Sequence, residues 1–166
     1  MKVREIMMKS LAFCSSRTNL AAATEMMWVH NCGILPVVDE NQKPIGVITD
    51  RDICMALGTK DRRASEMTAG EITKGELFSC GTEDDVRAAL ELMRRKRVRR
   101  LPVLGKDGLL EGILSMDDIV LHAGKEVGER APELSCEEVV ETYAGIAGHP
   151  LPQKREKEVP TTKVWR

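Results

Sequence analysis

Two short segments of the chain carry the same set of side chains at the same spacing. Gly46-Val-Ile-Thr-Asp-Arg-Asp-Ile53 and Gly112-Ile-Leu-Ser-Met-Asp-Asp-Ile119 both read Gly-x-x-Thr/Ser-x-x-Asp, so that Gly46, Thr49 and Asp52 match Gly112, Ser115 and Asp118. A hydroxyl followed three residues later by a carboxylate, where a helix opens, is a capping box, and capping alone accounts for both residue types. The same geometry also suits a ligand. A helix N-terminus presents unpaired N–H groups and a partial positive charge, which attract phosphate. The hydroxyl can bond a phosphate or sugar oxygen, and the carboxylate can accept both vicinal hydroxyls of a ribose. Glycine in front lets backbone and ligand approach closely. A nucleoside with a short phosphate chain fits the set. The two common phosphate-binding glycine loops, Gly-x-x-x-x-Gly-Lys-Ser/Thr and Gly-x-Gly-x-x-Gly, do not occur.

The motif recurs because the chain is one unit written twice. Gly33-Ile-Leu-Pro-Val-Val-Asp39 parallels Arg99-Arg-Leu-Pro-Val-Leu-Gly105, and Pro36 and Pro102 stand 66 positions apart, as do Gly46 and Gly112. Leu20, Ala22 and Met27 fall on Val86, Ala88 and Met93 at the same offset. At the start of each copy, Glu5-Ile6-Met7-Met8 aligns with Ser65-Glu66-Met67-Thr68 at offset 60, which implies six extra residues near Ala69–Leu77 in the second copy.

Each copy then reads as the same string of elements. Leu11-Ala-Phe-Cys14 and Glu76-Leu-Phe-Ser-Cys80 suit a first strand. A helix follows, capped by Ser16 in the first copy and by Thr82 with Asp85 in the second. Its apolar stripe is Leu20, Ala23, Met26 and Met27, or Val86, Ala89, Leu90 and Met93. Strands through Pro36 and Pro102 come next, then a polar turn, a further strand, and a second helix from Thr49 or Ser115. The fold class is mixed α/β (α+β): two tandem β-α-β-β-α repeats about a pseudo-twofold axis, with a C-terminal helix and tail. The expected divisions are residues 1–58, 59–122 and 123–166. About 60 residues bury little alone, so the copies should pack on each other and leave two related clefts.

Composition excludes several other classes. The 166 residues are 42% hydrophobic, 31% charged and 3% aromatic, with a net charge of -1. No global field recruits nucleic acid, and few aromatics are available for base stacking. No apolar run reaches the roughly 18 residues of a membrane helix, and the N-terminus lacks a signal-peptide core. The expectation is a cytoplasmic protein without nucleic-acid or membrane partners. Five cysteines are scattered without a Cys-x-x-Cys pair, and His30, His122 and His149 lack metal-ligand spacing. Cys14 and Cys80 are equivalent at offset 66. They read as small buried residues, with a redox or metal site across the axis as the alternative. No catalytic arrangement, and so no reaction, emerges.

Glu5-Ile-Met7, Leu35-Pro-Val37 and Gly46 to Ile53, with their counterparts, resemble CBS repeats in the tandem pair called a Bateman module. The resemblance spans roughly residues 1–122. It implies an adenosine-derived ligand (AMP, ADP, ATP or S-adenosylmethionine) acting as a regulatory ligand rather than a cofactor, a homodimer, and an effector protein that reads the bound state. It implies that Thr49 with Asp52, and Ser115 with Asp118, hold ribose and phosphate, with Gly46 and Gly112 beside them. The adenine would lie against the strands entering Pro36 and Pro102, where Ile34 is matched by Arg100. Arg51 is a candidate phosphate contact, whereas its counterpart Asp117 would repel phosphate, which favours the first site for a multiply phosphorylated ligand.

The basic run Arg94-Arg-Lys-Arg97 with Arg99 and Arg100 suits a solvated helix C-terminus, or phosphate binding into the shared cleft. Ser135-Cys-Glu-Glu138 opens a helix to about Ala147, whose stripe Val139, Val140, Tyr143 and Ile146 should pack on the core or a partner. From His149 the chain is charged and proline-marked, with Trp165 a candidate anchor. A purely structural dimerisation module remains the rival reading.

Overall fold

The computed structural model describes residues 1–9, 12–73, 76–124 and 133–148. The readings placed on Leu11, on the tail from His149 and on Trp165 lie outside these residues. The elements are α1 (Val3–Ile6), β1 (Cys14–Ser15), α2 (Leu20–Val29), β2 (Ile34–Val38), β3 (Pro44–Thr49), α3 (Asp50–Lys60), a 3-10 turn (Ala64–Glu66), α4 (Ala69–Ile72), β4 (Cys80–Gly81), α5 (Val86–Lys96), β5 (Arg100–Leu104), β6 (Leu110–Ser115), α6 (Met116–His122) and α7 (Cys136–Ala147). Two three-stranded sheets result, ordered β1-β2-β3 and β4-β5-β6. In each, the short first strand runs parallel to the central one and the third runs antiparallel. The β-α-β-β-α order is thus present twice, in a mixed α+β architecture.

The central strands hold Pro36 and Pro102, residues that cannot donate to a ladder and so avoid central strands. The short first strands resolve the conflict. β1 meets only Val37 and Val38, and β4 meets only Val103 and Leu104. Each proline therefore sits where the strand is paired on one side alone. The first strands are shorter than the sequence suggests and open at Cys14 and Cys80.

Two helix caps also differ from expectation. Asn19 caps α2 by accepting from the Ala22 N–H, and Asp85 caps α5 by accepting from the Arg87 N–H. Ser16 and Thr82 lie three residues earlier, in the turn that leaves each first strand. The polar residues between strand and helix make that turn: Ser15 Oγ and Asp84 Oδ2 accept from the N–H groups of Arg17 and Gly81.

The larger correction concerns how the copies align at their starts. The N–H groups of Val3 and Arg4 donate to the carbonyls of Asp84 and Thr82, and those of Ala69 and Gly70 donate to Thr18 and Ser16. Val86 donates to Met1, and Leu20 donates to Met67. These bonds equate Val3-Arg-Glu-Ile6 with Ala69-Gly-Glu-Ile72, at offset 66 and without inserted residues. The match at offset 60 is a chance likeness of a four-residue string.

Those same bonds cross between the copies. Val3 and Ile6 are buried with Val86, Leu90, Met93 and Leu101 of the second repeat. Met67, Ala69 and Ile72 are buried with Leu20, Met27, Leu35 and Ile48 of the first. Each repeat completes its core with the leading segment of the other, so boundaries drawn along the chain are not those of the packing units.

Candidate functional site

β3 delivers Thr49 to the start of α3, and β6 delivers Ser115 to the start of α6. Both capping boxes are complete. The Thr49 hydroxyl donates to Asp52 Oδ2 at 2.7 Å, the Thr49 N–H donates to the same oxygen at 2.9 Å, and the Asp52 N–H donates to Thr49 Oγ1 at 3.2 Å. The corresponding distances for Ser115 and Asp118 are 2.6, 2.8 and 3.1 Å. Both sets of bonds use Oδ2, so a second carboxylate oxygen remains for a ligand hydroxyl without dismantling the cap.

A cavity of about 390 Å³ opens at the second motif. It brings together four of the expected ligand-binding residues, Ile34, Arg100, Ser115 and Asp118. Ile34 comes from the first repeat and the other three from the second, so the cavity lies between the repeats. Its first-repeat wall is the stretch His30-Asn-Cys-Gly-Ile34, and Met8 and Ile113, which pair as an isolated bridge, line it as well. Arg100 Nη2 stands 3.8 Å from Asp117 Oδ2, so the cation at this cavity already faces an anion of its own chain.

The other expected residues lie elsewhere. Thr49, Arg51 and Asp52 are outside this cavity. Pro36 and Pro102 are buried within β2 and β5 and serve the sheets. Arg99 lines a separate recess of about 90 Å³ with Arg100, Met116, Asp117 and Tyr143. The reason given for the two glycines also changes. A Cβ on Gly112 would stand 2.7 Å from Met7 Sδ and 2.9 Å from the Met8 carbonyl oxygen, and one on Gly46 would collide with Thr73 Cγ2. What approaches them is the exchanged leading segment of the other repeat, not open ligand space. Sequence reasoning missed Met8, Asn31, Cys32 and Gly33. Met8 reaches the cavity on an exchanged leading segment, and the other three lie in the connection between α2 and β2 that faces the second repeat. His30, read as a helix-end residue, is the C-cap of α2 and also faces the cavity.

Cys14 belongs to the first core and Cys80 to the second. Burial pushes their thiols up to about 11 and about 12, the latter with help from Asp84. Reactive cysteines are thiolates in polar settings, and these are the opposite. A shared redox or metal site across the axis is therefore not built. Among the described residues, no three His, Cys, Asp or Glu side chains gather as metal ligands would. Nor is any helix among them long and apolar enough to cross a membrane.

The basic run ends α5 as expected. Arg94 pairs with Glu91 at 2.7 Å, and Lys96 lies 4.4 Å from the centre of the Phe78 ring. α7 opens on the Ser135–Glu138 capping box. Its Glu138 bonds Arg87 Nε at 2.6 Å.

The CBS domain family model matches residues 3–59 and 69–124, two segments whose starts lie 66 residues apart. An uncharacterized protein of Methanopyrus kandleri is 33% identical over 91 residues, which cover 55% of this chain and 46% of that protein, so the matched part is about half its length. Hypoxic response protein 1 of Mycobacterium tuberculosis is 29% identical over 119 residues, covering 72% of this chain and 82% of that one. The crystal structure of that protein, described with two coordinated zinc ions, superposes with a TM-score of 0.69 at 27% identity, over 75% of this chain and all of the other. A CBS domain pair crystallised with 5′-methylthioadenosine and S-adenosyl-L-methionine superposes with a TM-score of 0.65 at 26% identity, over 73% and 94% of the two chains.

Proposed function

The chain belongs to the CBS domain family, and on that premise we propose that it is a regulatory module that binds an adenosine-derived ligand between its repeats and signals the bound state to an effector protein. The observation that carries this reading is the 390 Å³ cavity, in which Ser115 and Asp118 of one repeat face Ile34 of the other. The volume falls within the range of small-molecule sites. In this reading Asp118 holds the ribose, Ser115 a neighbouring oxygen, and Ile34 the base. Arg100 binds the end of the ligand that reaches Asp117. The ligands in the related CBS pair, 5′-methylthioadenosine and S-adenosyl-L-methionine, belong to the same chemical class.

Thr49 and Asp52 form the second site of the reading. By the 66-residue offset, the wall His30–Ile34 corresponds to Lys96-Arg-Val-Arg-Arg100, and Asp117 corresponds to Arg51. The first motif is thus the one suited to a phosphorylated ligand. The reading includes a cytoplasmic homodimer, supported by apolar side chains such as Leu121 and Val140 that a lone chain leaves in water. It assigns no reaction. Ligand would act by favouring one arrangement of the two repeats over another.

Thermal unfolding with AMP, ADP, ATP, S-adenosylmethionine and 5′-methylthioadenosine tests it. Binding to the folded state raises the melting temperature. At least one ligand should do so. Asp118→Ala or Asp52→Ala should remove the ligand-induced rise measured from that variant's own baseline. No rise with any of them at millimolar concentration would leave the hydroxyl–carboxylate pairs as caps in a structural module.

A further inference from the structure

The cavity at the second motif carries charges of both signs. Among the described residues that line it, Arg100 is the cation, and Asp117 and Asp118 are the anions. The fold sets their positions. Arg100 opens β5 and pairs in register with Ser115 of β6, and Asp117 and Asp118 form the first turn of α6 just after Ser115. Asp118 Oδ2 accepts from the N–H and the hydroxyl of Ser115, so this carboxylate is fixed at the cap. Asp117 is held less firmly. It meets Arg100 at 3.8 Å, beyond hydrogen-bonding distance, and its side chain is 73% exposed. Ion pairs so placed contribute little, so both partners can turn to a ligand at small cost.

This arrangement disfavours a phosphate. A phosphate that reaches Arg100 also reaches Asp117, and the like charges repel. The helix does not offset this, because Asp117 and Asp118 already occupy the turn where its partial positive charge lies. A zwitterion fares differently. The carboxylate of an α-amino acid can take the guanidinium of Arg100, and its ammonium can take Asp117. Both groups sit on one carbon, a spacing that suits a cation and an anion 3.8 Å apart. Met8, Ile34 and Ile113 offer apolar wall for a base and a short hydrocarbon linker.

We propose that the second site selects an adenosine whose 5′ end carries an α-amino acid, as in S-adenosylmethionine and S-adenosylhomocysteine, over adenosine phosphates. Arg100 binds the carboxylate, Asp117 the ammonium and Asp118 the ribose. The proposal rests on the ligand reading above and names the ligand class of one of its two sites. At the first motif, Ile34 and Arg51 stand where the second has Arg100 and Asp117, and the pairing of opposite charges is lost. The two sites would then take ligands of different charge, and the chain would report on two adenosine compounds rather than one.

The test is calorimetric titration of the full chain carrying Asp52→Ala, which leaves the second site to be read alone. The ligands are S-adenosylhomocysteine, 5′-methylthioadenosine and AMP. The first two share adenosine and a thioether sulfur and differ in the amino-acid end. S-adenosylhomocysteine should bind at least about tenfold more tightly than either of the others. Adding Asp117→Asn should cut its advantage over 5′-methylthioadenosine to about threefold or less and should strengthen AMP by about threefold or more. Arg100→Gln should also cut the advantage. Neither change should alter 5′-methylthioadenosine binding, which also shows that the variants fold. If Asp52→Ala does not fold, the same ratios are read on the unaltered chain with and without Asp117→Asn, a change confined to the second site. Equal binding of the two thioethers, AMP as tight as S-adenosylhomocysteine, or an advantage that survives both Asp117→Asn and Arg100→Gln overturns the proposal and leaves the ligand reading standing. Binding of S-adenosylhomocysteine that survives Asp118→Ala places it elsewhere and also overturns the proposal. If none of the three ligands binds, and none raises the melting temperature, the ligand reading falls and takes this proposal with it.

Discussion

The two repeats share every element and differ in what surrounds them. The second has its helical groove covered by α7 and a cation at its cleft tied to Asp117. The first has a groove of about 600 Å³ between α2 and α3 that no element among the described residues covers, and it has Arg51 where the second has Asp117. Duplication supplies the frame, and divergence at a few positions gives one copy a structural burden and leaves the other's helices accessible. The lesson is that equivalence must be read contact by contact, because the exchange of leading segments makes each copy depend on the other's N-terminus.

That dependence yields the largest expected effect. Ile6 and Ile72 are equivalent, at 7% and 5% exposure, in opposite cores. Replacing a buried Ile by Ala costs about 2–5 kcal/mol. Ile6→Ala should therefore destabilise the chain by that order, and hydrogen exchange should accelerate first in α5 and β5. Ile72→Ala should do the same in α2 and β2. Loss of protection in the repeat that is nearer in sequence would break the exchanged picture.

The grooves give the next contrast. Val139→Ala removes a side chain buried at 4% exposure and should cost about 2 kcal/mol. Trp28→Ala, despite removing a larger group, should change stability by less than about 0.5 kcal/mol, because that side chain stands in water. Urea titration of both variants decides. A large loss for Trp28→Ala would mean that the open groove is already occupied in solution.

α7 should also respond to acid. Hydrogen bonding from Arg87 foremost, then from the Ser135 N–H, holds the Glu138 carboxyl at about 2 against an ordinary 4.5. The folded value is lower than the unfolded one, so its contribution is complete above about 4.5 and is lost as pH falls towards 2. Near-ultraviolet circular dichroism of Tyr143, the single tyrosine, should report loosening of α7 in that window. Arg87→Ala should blunt the pH dependence.

Much of this frame was legible in the sequence. The doubled Gly-x-x-Thr/Ser-x-x-Asp motif located both capping boxes, and the apolar stripes located the buried faces of α2 and α5, whereas on α7 Val139 is buried but Val140 faces away from the core at 66% exposure. What the sequence hid is non-local. Nothing in Glu5-Ile6 or Glu71-Ile72 says that each packs in the other copy, and a better-looking match at offset 60 concealed the pairing. The cavity wall from Asn31 to Gly33 has no motif because its role comes from position alone. Arg100 was legible as a residue of the cleft, but its neighbour Asp117 shares the cavity and opposes its charge.

The smallest contrast lies in the turns between the antiparallel strands. Gln42 and Gly108 occupy equivalent positions with φ of +62° and +77°. Glycine takes this left-handed region without a Cβ clash, and glutamine does not. Gly108→Gln should therefore cost strain, partly offset by the reduced freedom of the unfolded chain, for a net loss of about 0.5 kcal/mol. The reverse change, Gln42→Gly, relieves the clash but adds freedom to the unfolded chain, so the two terms partly cancel. A net gain of about 0.5 kcal/mol is expected. Equal and opposite effects at the two sites are therefore expected, because the same two terms enter both changes with opposite sign. A loss at Gln42→Gly would mean that its side chain makes contacts in the first repeat that outweigh the strain, and the two turns would then differ by more than one residue's conformation.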